Sequence, residues 1–284
     1  MTSSPRADQP AGRAAKRFDW RNLRQRALSA AILIPVTLGA VWVGGWLYLV
    51  LLAIAVALLA VEWGAMSSKR ASHRAAFTLL AAVLLPMFAA YGRHLWTAWL
   101  LVLVMAGIAA VFAWGRRLGE RPADAAFGVL YLAPPAVALV WLRSGDDGPA
   151  WTLMLLLVCW AADSAAFLTG SVLKGPKLWP RFSPNKTWSG FIGGLVGAAA
   201  VAVLLTALTP TGVPGLVTAA VIGLVAGLAT MAGDLWESML KRRFGVKDSG
   251  DLIPGHGGLL DRVDGLMFAA LTVAAAKLLL QGHA

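Results

Sequence analysis

The sequence predicts an all-α, polytopic membrane protein, and three observations support that fold class. Only 14% of the 284 residues are charged, whereas 58% are hydrophobic, and the mean hydropathy of +0.70 is high for a soluble domain of this size. The apolar runs are long enough for helices that cross a hydrocarbon core, which takes about 20 residues. The short alternating segments of a transmembrane barrel are missing, and backbone groups in lipid must be paired internally, so each run is expected to be a helix.

About nine spans follow one another along the chain. The first 26 residues are polar and basic, and residues 18–26 are expected to form an interfacial helix that leads into an uncleaved first span. The third and fifth spans are short, and Pro86 and the pair Pro134-Pro135 are expected to bend them. The predicted spans are residues 27–45, 46–66, 76–91, 96–115, 126–142, 151–171, 190–209, 216–238 and 261–280.

The basic residues are distributed unevenly between the two sides of these spans. With a cytoplasmic N-terminus, 22 of the 25 Lys and Arg residues fall inside, and the exceptions are Arg93, Arg143 and Lys277. This asymmetry predicts a cytoplasmic N-terminus and an outer C-terminus. The net charge of +11 therefore reflects membrane topology and attraction to anionic lipid headgroups, and nucleic acid is not an expected partner.

Tryptophans flank many of the spans, as they do in the aromatic belts of membrane proteins. The residues expected to form these belts are Trp20, Trp46, Trp63, Trp96, Trp114, Trp151 and Trp188.

Three segments are expected from this pattern. Residues 1–26 form a basic cytoplasmic segment, residues 27–149 form the N-terminal transmembrane helices, and residues 150–284 form a catalytic transmembrane region. The last segment contains the two longest cytoplasmic loops, at 172–189 and 239–260, which are polar and rich in Gly and Pro. The outer loops are short, so the chemistry is expected at the cytoplasmic face.

Several carboxylates lie in or beside apolar spans, where a charge costs about 2.5–3.5 kcal/mol at the helix centre. Such side chains are expected to face a bundle interior or a watery cavity. One face of the eighth span carries four polar residues at i, i+3, i+4, i+7 spacing, which are Asp234, Glu237, Ser238 and Lys241. Asp261 and Asp264 share a face at the start of the ninth span, so the two sets could meet.

Carboxylates brought together repel one another unless a proton or a cation lies between them. Oxygen ligands suit Mg²⁺, and Asp234 and Asp261 are the first candidates as its ligands. The alternative is a salt bridge to Arg262, Arg242 or Lys241. For Asp163, a proton relay, a polar lock between helices and a place in the cation cavity are all open, whereas Glu62 is expected to be an interfacial residue.

Two loop segments could contact phosphate groups. Ser183-Pro184-Asn185-Lys186-Thr187 precedes a helical run, and a helix N-terminus favours an anion. A helix cap in a positive inner loop would give the same pattern. His256 lies in a Gly-rich turn, where an orienting role is preferred to that of a base, because an attacking phosphate monoester is already anionic.

The segment from Ser238 to Asp264 carries a long motif. It reads Ser238-x-x-Lys241-Arg242, then Lys247-Asp248, then Pro254-x-His256-Gly257-Gly258-x-x-Asp261-Arg262-x-Asp264. This motif resembles the signature of the phosphatidate cytidylyltransferases, also called CDP-diacylglycerol synthases. The Asp163 helix and Ser183-Pro184-x-Lys186-Thr187-Trp188 are also similar to that family. The following residue is Ser189, where many members carry Glu or Gln.

The resemblance implies transfer of the cytidylyl group of CTP to phosphatidate, with Mg²⁺ as cofactor, a second cation left open, and a homodimer in the bacterial cytoplasmic membrane. It implies cation binding by Asp234, Asp261 and Asp264. The residues expected to act in catalysis are Asp234, Asp261, Lys241, His256 and Arg262. Those expected to bind the nucleotide are Ser183, Lys186, Thr187, Ser238, Arg242, Lys247 and Asp248.

Two other functions fit parts of the pattern. An ion-coupled transporter would carry its charges near the midplane and usually contain repeats, but most acidic residues here cluster at one face. A CTP-dependent kinase for a polyprenol or dolichol-type alcohol would also use a nucleotide and a cation. It would need a base for the alcohol, and the acceptor distinguishes it from a cytidylyltransferase.

Overall fold

The computed structural model describes residues 20–68, 71–116, 121–180, 183–250, 252 and 257–281. Within these ranges the chain forms nine helices, which confirms the all-α membrane fold. They are α1 (Trp20–Val43), α2 (Gly45–Ser67), α3 (Ser72–Tyr91), α4 (Leu95–Arg116), α5 (Pro122–Arg143), α6 (Gly148–Leu173), α7 (Trp188–Leu208), α8 (Leu216–Phe244) and α9 (Leu260–Gln281). Helices α2 to α9 are long and apolar enough to span a membrane, and the apolar part of α1 is the shorter Leu28–Val43.

Helices α3, α5 and α8 extend by four to six residues beyond the predicted bounds of their spans. Helix α3 begins at Ser72 and α5 at Pro122, so neither is short, and both continue through their internal prolines. Pro122 lies in the first turn of α5. Backbone N–H groups in a first turn have no acceptor within the helix, so the N–H that proline lacks costs no hydrogen bond. Helix α8 continues to Phe244, six residues beyond the predicted end of the span, and includes Lys241.

A short β-hairpin lies between α6 and α7, in the loop predicted at 172–189. Strand β1 (Lys177–Trp179) pairs antiparallel with β2 (Ser183–Thr187), with Lys177 opposite Thr187 and Trp179 opposite Ser183. Thr187 is also the N-cap of α7, because its side chain accepts a hydrogen bond from the N–H of Gly190. The hairpin therefore places Lys186 immediately before the N-cap of α7.

The buried side chains form two main cores. One joins α2, α3, α4 and α5, with contributions from the facing ends of α8 and α9. The other joins α6 to α9 with the C-terminal end of α5. Helix α5 therefore connects the two halves of the bundle.

The aromatic-belt prediction is wrong at two positions. Trp63 and Trp151 are 1% and 2% exposed and belong to the two cores, whereas Trp46, Trp96, Trp114 and Trp188 are exposed. The side chain of Trp20 lies outside the described residues.

Consecutive helices pack against each other, and all but two of their connections are short, so they alternate in direction. The junctions α2–α3, α4–α5, α6–α7 and α8–α9 therefore lie at one end of the bundle, which we call the site face. The junctions α1–α2, α3–α4, α5–α6 and α7–α8 lie at the other end, which we call the opposite face.

Candidate active site

Two glycines allow α8 and α9 to approach each other at the level of the predicted carboxylates. A Cβ atom on Gly265 would lie 2.7 Å from Thr230 Cγ2 and 2.9 Å from the Thr230 carbonyl oxygen, and one on Gly233 would overlap the carbonyl oxygen of Asp264. Small residues permit such close contacts between membrane helices. Asp234 and Asp264 are the chain neighbours of these glycines, so the helix contact holds both carboxylates at one level.

Around this contact lies the Lys186 cluster, which consists of Lys186 on β2 with Asp163 on α6, Asp234 on α8 and Asp264 on α9. Lys186 Nζ lies 2.5 Å from Asp234 Oδ2. Asp264 is within electrostatic range of Asp163, Asp234 and Lys186, and its Oδ1 accepts the N–H of Gly265 at 2.8 Å. The structure therefore brings together two of the predicted ligands and places Asp163 beside them.

A second group, the Lys241 cluster, consists of Glu237, Lys241, Ser249 and Asp261. Lys241 Nζ lies 2.5 Å from Asp261 Oδ1 and 2.8 Å from Glu237 Oε2. The hydroxyl of Ser249 donates to Asp261 Oδ2 at 3.0 Å, and the Ser249 N–H is 3.3 Å from the same oxygen. The salt-bridge alternative thus holds for Asp261, with Lys241 as partner. Glu237 is in electrostatic range of Asp264 and connects the two clusters.

The donor chemistry of the two clusters suits a hard cation. The clusters contain two lysines and five carboxylates. Lys186 pairs with Asp234, and Lys241 pairs with Glu237 and Asp261. The other two carboxylates are those of Asp163 and Asp264. Glu237 is 1% exposed, and its Oε1 is buried without a hydrogen-bond partner. Within the described ranges, no three acidic, His or Cys side chains are close enough to enclose a metal by themselves. The arrangement therefore fits an ion such as Mg²⁺ that takes further oxygens from water and substrate phosphates.

Glu62 on α2 holds the start of α9, and the sequence did not indicate this role. It is 2% exposed, so the predicted interfacial position is wrong. Its Oε1 accepts the N–H of Leu259 at 2.6 Å, and its Oε2 accepts the N–H of Leu260 at 2.7 Å. The Ser249 hydroxyl lies 3.2 Å from Oε2. Glu62 therefore joins α2 to the segment that presents Asp261.

At the predicted phosphate seat before α7, the structure shows the helix cap that was the alternative interpretation. The Thr187 hydroxyl caps α7 and lies 3.1 Å from Ser189 Oγ, which in turn accepts the N–H of Gly175 at 3.3 Å. Lys186 forms an ion pair with Asp234, so it belongs to the carboxylate cluster in this structure. Ser183 is half-buried at the start of β2.

The remaining predicted residues lie at the edge of the site. Ser238 is half-buried on α8, and Arg242, Lys247, Asp248 and Arg262 are exposed on the site face. His256 lies outside the described residues.

The C-terminal end of α8 is fixed by contacts with α5 and α2. Arg243 forms an ion pair with Asp124 in the first turn of α5. The ring of Trp63 packs against Phe244 at 5.6 Å and against Phe127 and Tyr131 at 5.8 Å between ring centroids. This aromatic group belongs to the first core, and it supports the helix that carries Glu237 and Lys241.

The fold and the site define a multi-pass membrane protein that gathers carboxylates and lysines at one end of its bundle. The chain belongs to the cytidylyltransferase family, because the model described as "Cytidylyltransferase family" matches residues 24–280. It is therefore a nucleotidyltransferase, and the resemblance of the motif is confirmed.

Similar proteins from bacteria are named phosphatidate cytidylyltransferase. The protein of Brucella suis is 38% identical over 268 residues, which cover 88% of this chain and 91% of the relative. That of Pseudomonas aeruginosa is 33% identical, over 90% of this chain and 97% of the relative. That of Rickettsia conorii is 31% identical, over 70% of this chain and 88% of the relative.

Proposed function

We propose that this protein transfers the cytidylyl group of CTP to phosphatidate, giving CDP-diacylglycerol and pyrophosphate. The observation that carries the proposal is the meeting of the Lys186 and Lys241 clusters at the site face. A charged site at the end of a membrane bundle suits one lipid substrate with an anionic headgroup and one soluble triphosphate. The names of the relatives from Brucella suis and Pseudomonas aeruginosa agree with this pair of substrates.

The reaction is an in-line displacement at the α-phosphorus of CTP. An oxygen of the lipid phosphate forms a bond to that phosphorus, and the bond from the α-phosphorus to the bridging oxygen of the β-phosphate breaks. The electron pair leaves with pyrophosphate, where negative charge develops. The lipid phosphate is already anionic, so no general base is required.

We propose that Lys186 and Lys241 bind phosphate oxygens. An ammonium group has three N–H donors. Lys186 uses one on Asp234, and Lys241 uses two on Asp261 and Glu237, so both retain donors for charge-assisted bonds to phosphate. The exposed Arg242, Lys247 and Arg262 provide further positive charge for the β- and γ-phosphates, and His256 is proposed to orient them.

Mg²⁺ belongs to the proposal as the cofactor, with Asp234, Asp261 and Asp264 as the residues that would hold it. When bound, such an ion would supply positive charge that offsets the charge developing on the leaving group. Lys186 pairs with Asp234, and Lys241 pairs with Glu237 and Asp261, and each lysine would turn from carboxylate to phosphate as the substrates bind.

The site face is proposed to be cytoplasmic, because most Lys and Arg residues lie on that side. Exposed Trp179 ends strand β1 and exposed Trp188 follows strand β2, at 42% and 48% exposure. Aromatic rings of this kind favour the headgroup region, where a lipid phosphate could enter from the side. The homodimer implied by the family resemblance is part of the same proposal.

An assay of purified protein tests the reaction directly. Labelled CTP and phosphatidate are incubated with Mg²⁺ or with a chelator, and the lipid product is analysed. We expect labelled CDP-diacylglycerol and pyrophosphate only with Mg²⁺. Transfer of the γ-phosphate to a polyprenol, with no product from phosphatidate, would assign the protein to the alternative kinase class.

The variant Asp261→Asn tests the role of the Lys241 cluster. We expect turnover to fall by roughly a hundredfold, because the variant removes a charge that both pairs with Lys241 and is proposed to hold the cation. Asp146→Asn is the matched control, since Asp146 is exposed on the opposite face, and its turnover should equal that of the wild type. Near-normal turnover of Asp261→Asn would contradict the assignment.

A further inference from the structure

A polar cavity of about 290 Å³ lies on the opposite face, away from both clusters. It is formed where α1 joins α2, α3 ends and α5 ends, and it is lined by Tyr48, Leu49, Tyr91, Arg93, Arg143 and Ser144, together with Val140 and two glycines. Its volume is near the lower end of the range for small-molecule pockets, about 300–1,000 Å³.

The lining of this cavity carries positive charge that is not matched by acidic residues. Arg93 and Arg143 are two of the three basic residues that the charge pattern places outside, and the residues described as lining the cavity include no Asp or Glu. Asp147, nearby in sequence, forms an ion pair with Lys277 instead. The cavity is therefore a concentration of positive charge on a face that is otherwise poor in it.

Arg143 is held in a fixed position. Its Nε donates to the carbonyl oxygen of Val41 at 2.5 Å, and its Nη2 donates to that of Trp42 at 3.1 Å. Its guanidinium group packs so closely on Gly44 that a Cβ there would overlap it. These bonds use two of the five N–H donors of the guanidinium, so the others are available to a ligand. A guanidinium with fixed orientation is well suited to the oxygens of a phosphate group.

The surroundings of the cavity favour a lipid as the source of that phosphate. Trp42 and Trp46 are 74% and 66% exposed at the adjoining helix ends, and the ring of Trp46 packs against lining residue Tyr91 at 5.1 Å between centroids. Exposed tryptophans at the ends of spanning helices lie at the headgroup level of a bilayer. Leu49 and Val140 add an apolar wall suited to the start of an acyl chain.

We propose that this cavity binds the phosphate of an anionic phospholipid headgroup in the leaflet opposite to the active site. The site is distinct from the one at which phosphatidate reacts, because it lies at the other end of the helices. The proposal does not depend on the reaction assigned above.

Lipid binding to the purified protein tests the proposal. Phosphatidylglycerol is titrated into detergent-solubilised protein and the bound lipid is counted by native mass spectrometry. We expect Arg93→Gln to raise the dissociation constant of the most tightly bound phosphatidylglycerol about fivefold, because one basic residue near a membrane surface has an effect of that size. Arg74→Gln is the matched control. It removes an exposed arginine from the site-face end of α3, whereas Arg93 follows the other end of that helix. It should leave the binding of phosphatidylglycerol unchanged.

A second variant excludes a folding defect as the cause. Arg93 has a φ of +66°, a conformation that glycine adopts without strain, so Arg93→Gly removes the side chain while easing the backbone. Arg93→Gly should bind phosphatidylglycerol as weakly as Arg93→Gln does, and both variants should keep the cytidylyl transfer activity of the wild type. Equal binding of phosphatidylglycerol by the wild type and both variants would overturn the proposal. So would equal retention of phosphatidylcholine and phosphatidylglycerol, or displacement of the lipid by equimolar inorganic phosphate.

Discussion

At the scale of single residues, the start of α9 depends on a carboxylate from a distant part of the chain. The carbonyl oxygen of Leu259 accepts the N–H groups of Arg262 and Val263, so Leu259 is the N-cap of α9. A leucine side chain cannot accept a hydrogen bond from the free N–H groups of the first turn. Glu62 accepts those of Leu259 and Leu260 instead, and its negative charge is favourable at a helix N-terminus.

Replacement of Glu62 should therefore affect both stability and catalysis. Glu62→Ala leaves two buried N–H groups without an acceptor, at a cost of about 1–3 kcal/mol each, and it frees the segment before Asp261. Glu62→Gln keeps one acceptor oxygen, but its amide N–H groups would face the other backbone N–H. We therefore expect losses of stability and turnover between those of the wild type and Glu62→Ala. Thermal unfolding in detergent and turnover measure the two effects.

Ser249→Ala is the companion variant for this prediction. It removes the hydroxyl that lies between Glu62 and Asp261 but keeps both backbone contacts of Glu62. We expect Ser249→Ala to lower the unfolding temperature and the turnover less than Glu62→Ala does. Wild-type unfolding temperature and turnover for Glu62→Ala would show that α9 does not need this cap.

Sequence alone identified the carboxylates of the site and named Lys241 among their alternative partners, but it did not indicate the contacts of Glu62 or the pairing of Lys186. Asp234, Asp261 and Asp264 were predictable, because charge within apolar spans is costly and their spacing places them on single helix faces. Glu62 was not, since its bonds join positions almost 200 residues apart and nothing in the local pattern around it indicates a cap. The pairing of Lys186 with Asp234 likewise depends on how the hairpin meets α8.

At the scale of helices, close packing at small residues determines the shape of the site. Gly193 and Gly197 on α7 face Thr169 and Ala165 on α6 with no room for a Cβ, and Gly265 on α9 faces Thr230 on α8 in the same way. Membrane helices gain little from hydrophobic burial against each other, so such close contacts contribute much of their association. The spacing of Asp163, Asp234 and Asp264 follows from these helix contacts.

Gly265→Ala should therefore separate the two carboxylate-bearing helices. The added methyl group would lie 2.7 Å from Thr230 Cγ2 and 2.9 Å from the Thr230 carbonyl oxygen, and such overpacking costs about 1–3 kcal/mol. We expect turnover to fall, because Asp234 and Asp264 move apart, together with a lower unfolding temperature in detergent.

Gly107→Ala provides the matched control for this substitution. Gly107 lies within α4, and a Cβ there meets no atom within 4 Å, so the same change should leave turnover intact and stability unchanged or slightly higher. If the two alanine variants behaved alike, the close contact of α8 with α9 would not be what positions the carboxylates.

The helices were predictable from hydropathy, because a span must satisfy its backbone internally over the full thickness of the bilayer. Errors occurred where polar residues continue a helix past the apolar run. Helix α8 extends to Phe244, supported by the Glu237–Lys241 pair at i, i+4. The hairpin of β1 and β2 was not predictable, since strands of three and five residues leave no usable alternation of polar and apolar positions.

At the scale of the whole molecule, the two ends of the bundle differ in charge and in what that charge contacts. The site face carries the Lys186 and Lys241 clusters and the exposed Arg242, Lys247 and Arg262. On the opposite face, Lys277 is 2% exposed and forms a 2.8 Å ion pair with Asp147, whereas Arg93 and Arg143 line the cavity. Chemistry with a soluble nucleotide is therefore expected at one end, and lipid contacts at the other.

Labelling of single cysteines tests which end faces the cytoplasm. Cys159 is the one cysteine of the sequence and is 4% exposed, so Cys159→Ala gives a suitable background. His73 lies in the first turn of α3 on the site face, and His94 follows the end of α3 on the opposite face; both side chains are exposed. In right-side-out vesicles, a membrane-impermeant maleimide should label His94→Cys and spare His73→Cys, and inverted vesicles should give the reverse. This follows from the positive-inside distribution. The opposite labelling pattern would place both clusters outside the cell, where CTP is not supplied, and would contradict the proposed reaction together with the topology.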